Sequence, residues 1–214
     1  VTASVNALPV SKLEFTMSRV GAWMATVEAT ADEEIESPVT LDLGALSLEG
    51  VVVNGGYAAG RASARLVGGA GGLDTVLDPF TFGTTPLRLP LTSAVTGAGE
   101  RLSSTSSTAA LAYVLARWPR MQRTCRAELR MLAALVGASW RVLPDGSIWF
   151  GTETWAEVSP AHEIVEPFGA VPRVVIGVEE MPAELLPGTT FLGRPVETVV
   201  YRLGATSARV EVWS

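Results

Sequence analysis

The sequence predicts a mainly β protein made of two related β-barrel modules with a short helical segment between them. Three observations carry this. Apolar and polar side chains alternate early in the chain, a segment near the start recurs near the end at a fixed offset, and the strand pattern is broken only in the middle. The predicted division is 1–88 for the first module, 89–139 for the helical segment and 140–214 for the second module.

In Leu13-Glu14-Phe15-Thr16-Met17-Ser18 the apolar residues fall on odd positions, the period of a strand with one buried face. Residues 24–27 and 39–43 read similarly, and 50–57 reads as a strand meeting a glycine-rich hairpin or bulge at Gly55-Gly56. Another strand follows at 61–67. The polar run 103–108 supplies candidate helix N-caps, and 109–118 is predicted as a short helix stopped by Pro119. A second helix is predicted over 124–136, capped by Gly137. Met121, Cys125, Leu129, Leu132 and Val136 form its apolar stripe, and Arg120, Arg123, Arg126 and Arg130 fall on the opposite face. Residues 140–151 form a hairpin around Pro144-Asp145-Gly146, and strands are predicted at 173–179, 189–193, 196–203 and 207–213.

Residues 41–65 align without a gap on 185–209, with nine identities in 25 positions, where chance gives roughly two. The pairs include Gly44/Gly188, Leu48/Leu192, Tyr57/Tyr201 and Ser63-Ala64-Arg65/Ser207-Ala208-Arg209. The repeat is what predicts two related modules.

The chain has 214 residues, 48% of them apolar and 18% charged, with a net charge of −6. That is enough to bury a core without staples and the wrong sign for a protein that coats nucleic acid. A single cysteine, Cys125, excludes an intrachain disulfide and a cysteine metal cage. No apolar run reaches the roughly 18 residues of a membrane span. The opening residues show no basic, apolar leader pattern. The excess of arginine over the single Lys12 reads as base composition.

Catalytic patterns are sparse. His162 is the only histidine, and Glu166 stands where a zinc-protease helix would place the second one, so a loop histidine is the better reading. There is no nucleophile elbow, and Cys125 falls on an apolar stripe. Gly68-Gly69-Ala70-Gly71-Gly72 lacks the ending of a phosphate-binding loop and reads as a turn. The carboxylates at 32–36 and 179–184 read as solvated loops. No catalytic residue, metal site or cofactor is expected. The arginine face 120/123/126/130 reads as a solvated helix side or, functionally, as a docking face for an acidic partner.

Four passages resemble the baseplate hub proteins of phage tails, the family that includes the hub of contractile tails and the trimeric part of bacterial injection-machine spikes. They are Gly99-Glu100-Arg101-Leu102-Ser103; the run from Leu132 through Trp140-Arg141 to Pro144-Asp145-Gly146 and Trp149; Leu186-Pro187-Gly188-Thr189-Thr190 with Val196 and Val199; and Ala208-Arg209-Val210-Glu211-Val212, where Val210 stands in place of a frequent threonine. The resemblance implies a non-enzymatic virion component at the tail tip, assembled in the host cytoplasm. It further implies a homotrimer whose six barrels match a hexameric tail tube or distal tail protein above, a trimeric spike or fibre below, and a channel for DNA in passage. The alternatives are a hexameric distal tail or tube-capping protein and, from another class, a tail-associated cell-wall hydrolase. A mean hydropathy of +0.31 fits surface buried against other subunits.

Overall fold

The early alternation produces strands with one face in a closed interior. A computed structural model describes residues 3–159, 163–169, 171–178, 180–204 and 207–214. The first strands are β1 (Ser4–Val5), β2 (Leu8–Ser18), β3 (Met24–Thr30), β4 (Val39–Asp42), β5 (Ser47–Ala58) and β6 (Arg61–Gly68). They pair antiparallel in the order β1-β4-β5-β6-β3-β2, and β1 pairs back onto β2, closing a six-stranded barrel. Leu13, Phe15, Val27, Leu41, Leu48 and Leu66 fill it together with small residues, Ala25, Ala29, Ala62 and Ala64, a mix that suits a narrow interior. Gly55 and Gly56 lie inside β5, beside a register shift between Val52 and Asn54; the turn itself is at Ala59 and Gly60. The bulge alternative of the sequence reading is therefore the one realised.

The middle of the chain departs from its prediction. After a 3-10 turn at Gly72–Asp74 come β7 (Val76–Leu77), β8 (Phe80–Phe82), β9 (Thr85–Pro86), α1 (Arg88–Gly97), α2 (Thr108–Leu111), β10 (Val114–Leu115), β11 (Trp118–Arg120) and β12 (Arg123–Thr124). The rungs Val76↔Thr124, Phe80↔Arg120, Phe82↔Trp118 and Pro86↔Val114 keep one register throughout. The three short ladders are one interrupted two-stranded ribbon, with α1 and α2 in the segment that joins its strands.

The helix predicted over 109–118 is thus limited to Thr108–Leu111, with Ser107 Oγ accepting from the Ala110 N–H as its N-cap. Residues 114–120 are drawn into the ribbon, where pairing with 80–86 outweighs local helix preference. Pro119 ends no helix; it sits on a strand opposite Thr81. Helix α1 has Pro90 in its first turn, where the missing N–H costs nothing, and buries Leu91, Ala94 and Val95.

The second predicted helix is present as α3 (Cys125–Val136). Thr124 Oγ1 accepts from the Ala127 N–H, and Gly137 caps the C-terminus at φ 65°. Met121 precedes the helix and is exposed, so it is not part of the buried stripe. The hairpin of β13 (Ser139–Val142) and β14 (Ile148–Gly151) follows, with Asp145 Oδ1 accepting from the Ser147 N–H and hydroxyl. Trp140 is fully buried on the strand that packs against α3. Trp149 stays half-buried under the Arg141 guanidinium, 4.3 Å from its ring centre.

The last strands are β15 (Ala156–Val158), β16 (Glu163–Glu166), β17 (Arg173–Gly177), β18 (Thr189–Phe191), β19 (Arg194–Pro195), β20 (Thr198–Leu203) and β21 (Ala208–Trp213). Strands β20, β21, β17 and β16 continue the barrel sheet, because β2 pairs with β20 from Leu13↔Leu203 to Ser18↔Thr198. Both modules therefore share one ten-stranded sheet. Strands β15, β18 and β19 form a small separate sheet.

The repeat is visible in topology. The spatial order β2-β3-β6-β5 recurs as β16-β17-β21-β20, antiparallel at every step. The aligned segments fall on corresponding hairpins, β5–β6 and β20–β21. Their rungs differ: Tyr57 faces Ala62, whereas Tyr201 faces Val210. The gap-free offset therefore matches elements but not rungs, because the second hairpin has the longer turn.

Candidate functional site

The four arginines proposed as one face do not form one. Arg120 lies on β11 and is buried: its Nε donates to the Asp78 carbonyl at 3.0 Å and its Nη1 to Ser93 Oγ at 3.1 Å. Arg123 lies on β12, with Nε 3.5 Å from Oε2 of Glu128. Glu128 is itself fully buried and accepts from Trp118 Nε1 at 2.6 Å. Arg126 grips Asp74 through two nitrogens at 3.0 and 3.3 Å. Arg120 thus fastens the ribbon to α1, while Arg123 and Arg126 fasten α3 to the ribbon and to the turn at Gly72–Asp74. Arg130 alone is exposed without an ion pair among the described residues. Beside it the outer side of α3 shows Met131, Ala134 and Leu135. These residues sit about half a turn from the Cys125/Leu129/Leu132 stripe, so the helix is apolar on two sides. The spacing of Ala127, Met131, Ala134 and Leu135 is the sequence signal of the second side.

The glycine run 68–72 does bind an anion, and the anion belongs to the chain. The Glu100 carboxylate, buried, accepts from the Ala70 N–H at 2.9 Å and the Gly72 N–H at 2.8 Å. Gly69 and Gly71 adopt φ near +90° to turn these amides inward. This explains Gly99-Glu100 structurally and leaves no cradle for a phosphate.

Cys125 is buried, and its Sγ lies 3.5 Å from the Ala94 carbonyl. Burial, with the charges of Glu100 and Glu128, pushes its thiol up to about 12 against the opposing Arg120 and Arg126. It is no nucleophile at neutral pH. His162 lies outside the described residues. Asp32, Glu33, Glu34 and Glu36 are exposed, and no three metal-ligating side chains converge among the described residues.

The outer face of the shared sheet is polar and partly paired, with Arg61 and Arg65 of β6 exposed and without an ion pair among the described residues. Lys12 meets Glu28 at 3.2 Å, and Arg202 reaches across the module seam to Glu14 at 3.6 Å. Glu211, with its side chain 4% exposed, lies within 3.4–3.8 Å of Arg209, Arg202 and Arg173.

The sheet's edges differ. Strand β4 covers β5 only from Ser47 to Gly50, so beyond Gly50 that edge has no ladder partner among the described residues. Strand β16 ends the sheet, with Ile164 and Val165 exposed. No described helix is long and apolar enough to cross a membrane.

A closed barrel whose sheet runs on into a second copy of the same strand order is a distinctive architecture, and solved structures share it over nearly the whole chain. The 43 kDa tail protein of prophage MuSo2 from Shewanella oneidensis superposes with a TM-score of 0.68 at 10% identity, covering 98% of this chain and 95% of that one. The chain has the fold of phage tail proteins. A tail protein from Neisseria meningitidis MC58 gives a TM-score of 0.62 at 10% identity, covering 99% and 95% of the two chains. The c3393 protein of E. coli, a type VI secretion component described as similar to the T4 tail proteins gp27 and gp5, gives 0.66 at 11% identity, with coverage of 99% and 76%. No family profile and no curated protein matches the sequence. The likeness is held in the fold and not in the residues, so the motif resemblance stands at the level of architecture.

Proposed function

We propose that this chain is a structural component of a phage or phage-like tail, a hub that assembles as a trimeric, pseudo-sixfold ring. One observation carries the reading: the order β2-β3-β6-β5 recurs as β16-β17-β21-β20, and β2 joins the modules by pairing with β20. By that correspondence β16 stands for β2 and β5 for β20. The open edge of β5 in one copy and β16 of the next can repeat the same antiparallel seam. Three chains then place six modules around one axis, half the seams within chains and half between them.

Such a ring adapts a hexameric tail tube or distal tail protein to a trimeric spike or fibre at the virion tip, and leaves a channel for DNA. The net charge of −6 supports a wall that does not grip phosphates, since gripping needs clustered cations facing the channel. The reading assigns the chain no catalytic step and places its assembly in the host cytoplasm.

The test is reconstruction of the assembled tail tip without imposed symmetry. Three copies in a ring, joined edge to edge, are expected. Six copies favour a distal-tail or tube-capping protein, and a lone monomer with no tail partner overturns both.

A further inference from the structure

A docked helix on a protein surface ordinarily shows charge on its outer side. Helix α3 does not. Its inner side buries Cys125, Leu129 and Leu132, yet its outer side carries Ala127, Met131, Ala134 and Leu135, spaced as one helical ridge. Met131 is 45% and Leu135 47% exposed. The one acid of the helix, Glu128, is fully buried, so the charges left beside the ridge are Arg126, committed to Asp74, Arg123, which reaches Glu128 and the Met131 sulfur from the preceding strand, and Arg130.

We propose that this ridge docks an amphipathic helix of a different protein, one whose apolar stripe is flanked by Asp or Glu. The alanines let a second helix approach closely between the two large side chains, and methionine adapts to what it meets. Arg130, exposed beside the ridge without an ion pair among the described residues, selects an acidic flank. A second copy of α3 is a poor occupant, because self-pairing brings like charges together and the helix exposes no acid to answer them. Neither α1 nor α2 contains an acidic residue. The surface is independent of the strand edges that build the proposed ring.

The experiment uses the full chain with isotope-labelled methionine methyl groups, the Met131 signal being assigned from Met131→Leu. The probes are two synthetic helical peptides of about 14 residues, roughly 20 Å long. They share a Leu/Ala ridge and differ in carrying Glu or Lys at its flanks. The Glu peptide is expected to move the Met131 signal saturably and to bind at least about tenfold tighter than the Lys peptide. Arg130→Glu should reverse that preference. Leu135→Glu should abolish binding and, being exposed, leave the thermal midpoint within about 2 °C. Equal binding of the two peptides, or an unmoved Met131 signal, overturns the proposal. A Met131 shift that follows protein concentration without peptide, with a dimer in sedimentation, assigns the face to a second copy and overturns it as well.

Discussion

The indole of Trp23 occupies the space that a side chain on Gly68 would need. A Cβ on Gly68 would lie 2.6 Å from Trp23 Cδ1, and one on its rung partner Gly50 would lie 2.8 Å from the far edge of the same ring. The Gly68 N–H also donates to the Trp23 carbonyl at 3.0 Å. Two glycines facing each other across a ladder thus make a slot that seats the largest side chain of the barrel.

Gly68→Ala should therefore destabilise the fold by about 1–3 kcal/mol through overpacking. The same change in a Trp23→Phe background should cost less, because the smaller ring frees part of the slot. Trp23 Nε1 has no hydrogen-bond partner among the described residues, so Phe forfeits none there. Urea unfolding of the four proteins gives the coupling, expected above about 0.5 kcal/mol. Strict additivity would mean that the ring does not rest on Gly68.

The two tryptophans of the β13–β14 hairpin should separate. Trp140→Ala, fully buried on the strand against α3, should cost about 3–5 kcal/mol. Trp149→Ala removes a half-buried ring that donates to the Thr105 carbonyl and lies under Arg141, and should cost about 1 kcal/mol. Thermal midpoints lowered equally by the two changes would contradict this difference in burial.

What could be read from the sequence followed from local chemistry. Thr124 and Gly137 bracket α3, Pro144-Asp145-Gly146 turns the hairpin, and the alternation at Leu13, Phe15 and Met17 marks β2. The 144-residue offset pointed to a repeat that the strand order contains. What could not be read depended on distant partners. Residues 114–120 become strand only because 80–86 lie beside them. Arg120 and Arg123 read as solvent-facing until the ribbon places Asp78 and Glu128 next to them. The open length of β5 is invisible in the sequence, since β4 could have covered more of it.

Cys125 should resist thiol reagents in the folded protein. With the thiol raised from 9.0 to about 12, almost no thiolate forms at pH 8, and access is closed by burial. Labelling should track global unfolding. The same shift gives a pH effect. Between about pH 9 and 12 the unfolded thiol ionises while the folded one stays protonated, so stability falls as pH rises. Buried Tyr201, raised by burial and by Glu180, acts in the same direction. Cys125→Ala should therefore reduce this alkaline slope without removing it. An unchanged slope, or rapid labelling of the native protein, would refute the argument.

The last prediction concerns two tyrosines in corresponding strands. Tyr201 on β20 is 1% exposed and Tyr57 on β5 is 43% exposed. The difference follows from neighbours: β20 is paired on both sides, by β2 and β21, whereas β5 beyond Gly50 is paired only with β6. If ring closure supplies the missing neighbour, a charge on either edge should block it, since edge lysines are how sheets avoid further pairing. Val53→Lys on β5 and Val165→Lys on β16 alter residues that are 61% and 59% exposed, so the isolated chain should keep its thermal midpoint within about 2 °C. Assembly should weaken at least about tenfold in each, seen as loss of the soluble oligomer by light scattering and as lower incorporation into tail particles. Because each copy contributes both edges to the ring, either substitution alone should break every seam between chains, and mixing the two variants should restore at most one seam per pair of copies. Unchanged assembly of the double variant would remove the edge-to-edge ring, whatever symmetry the particle shows.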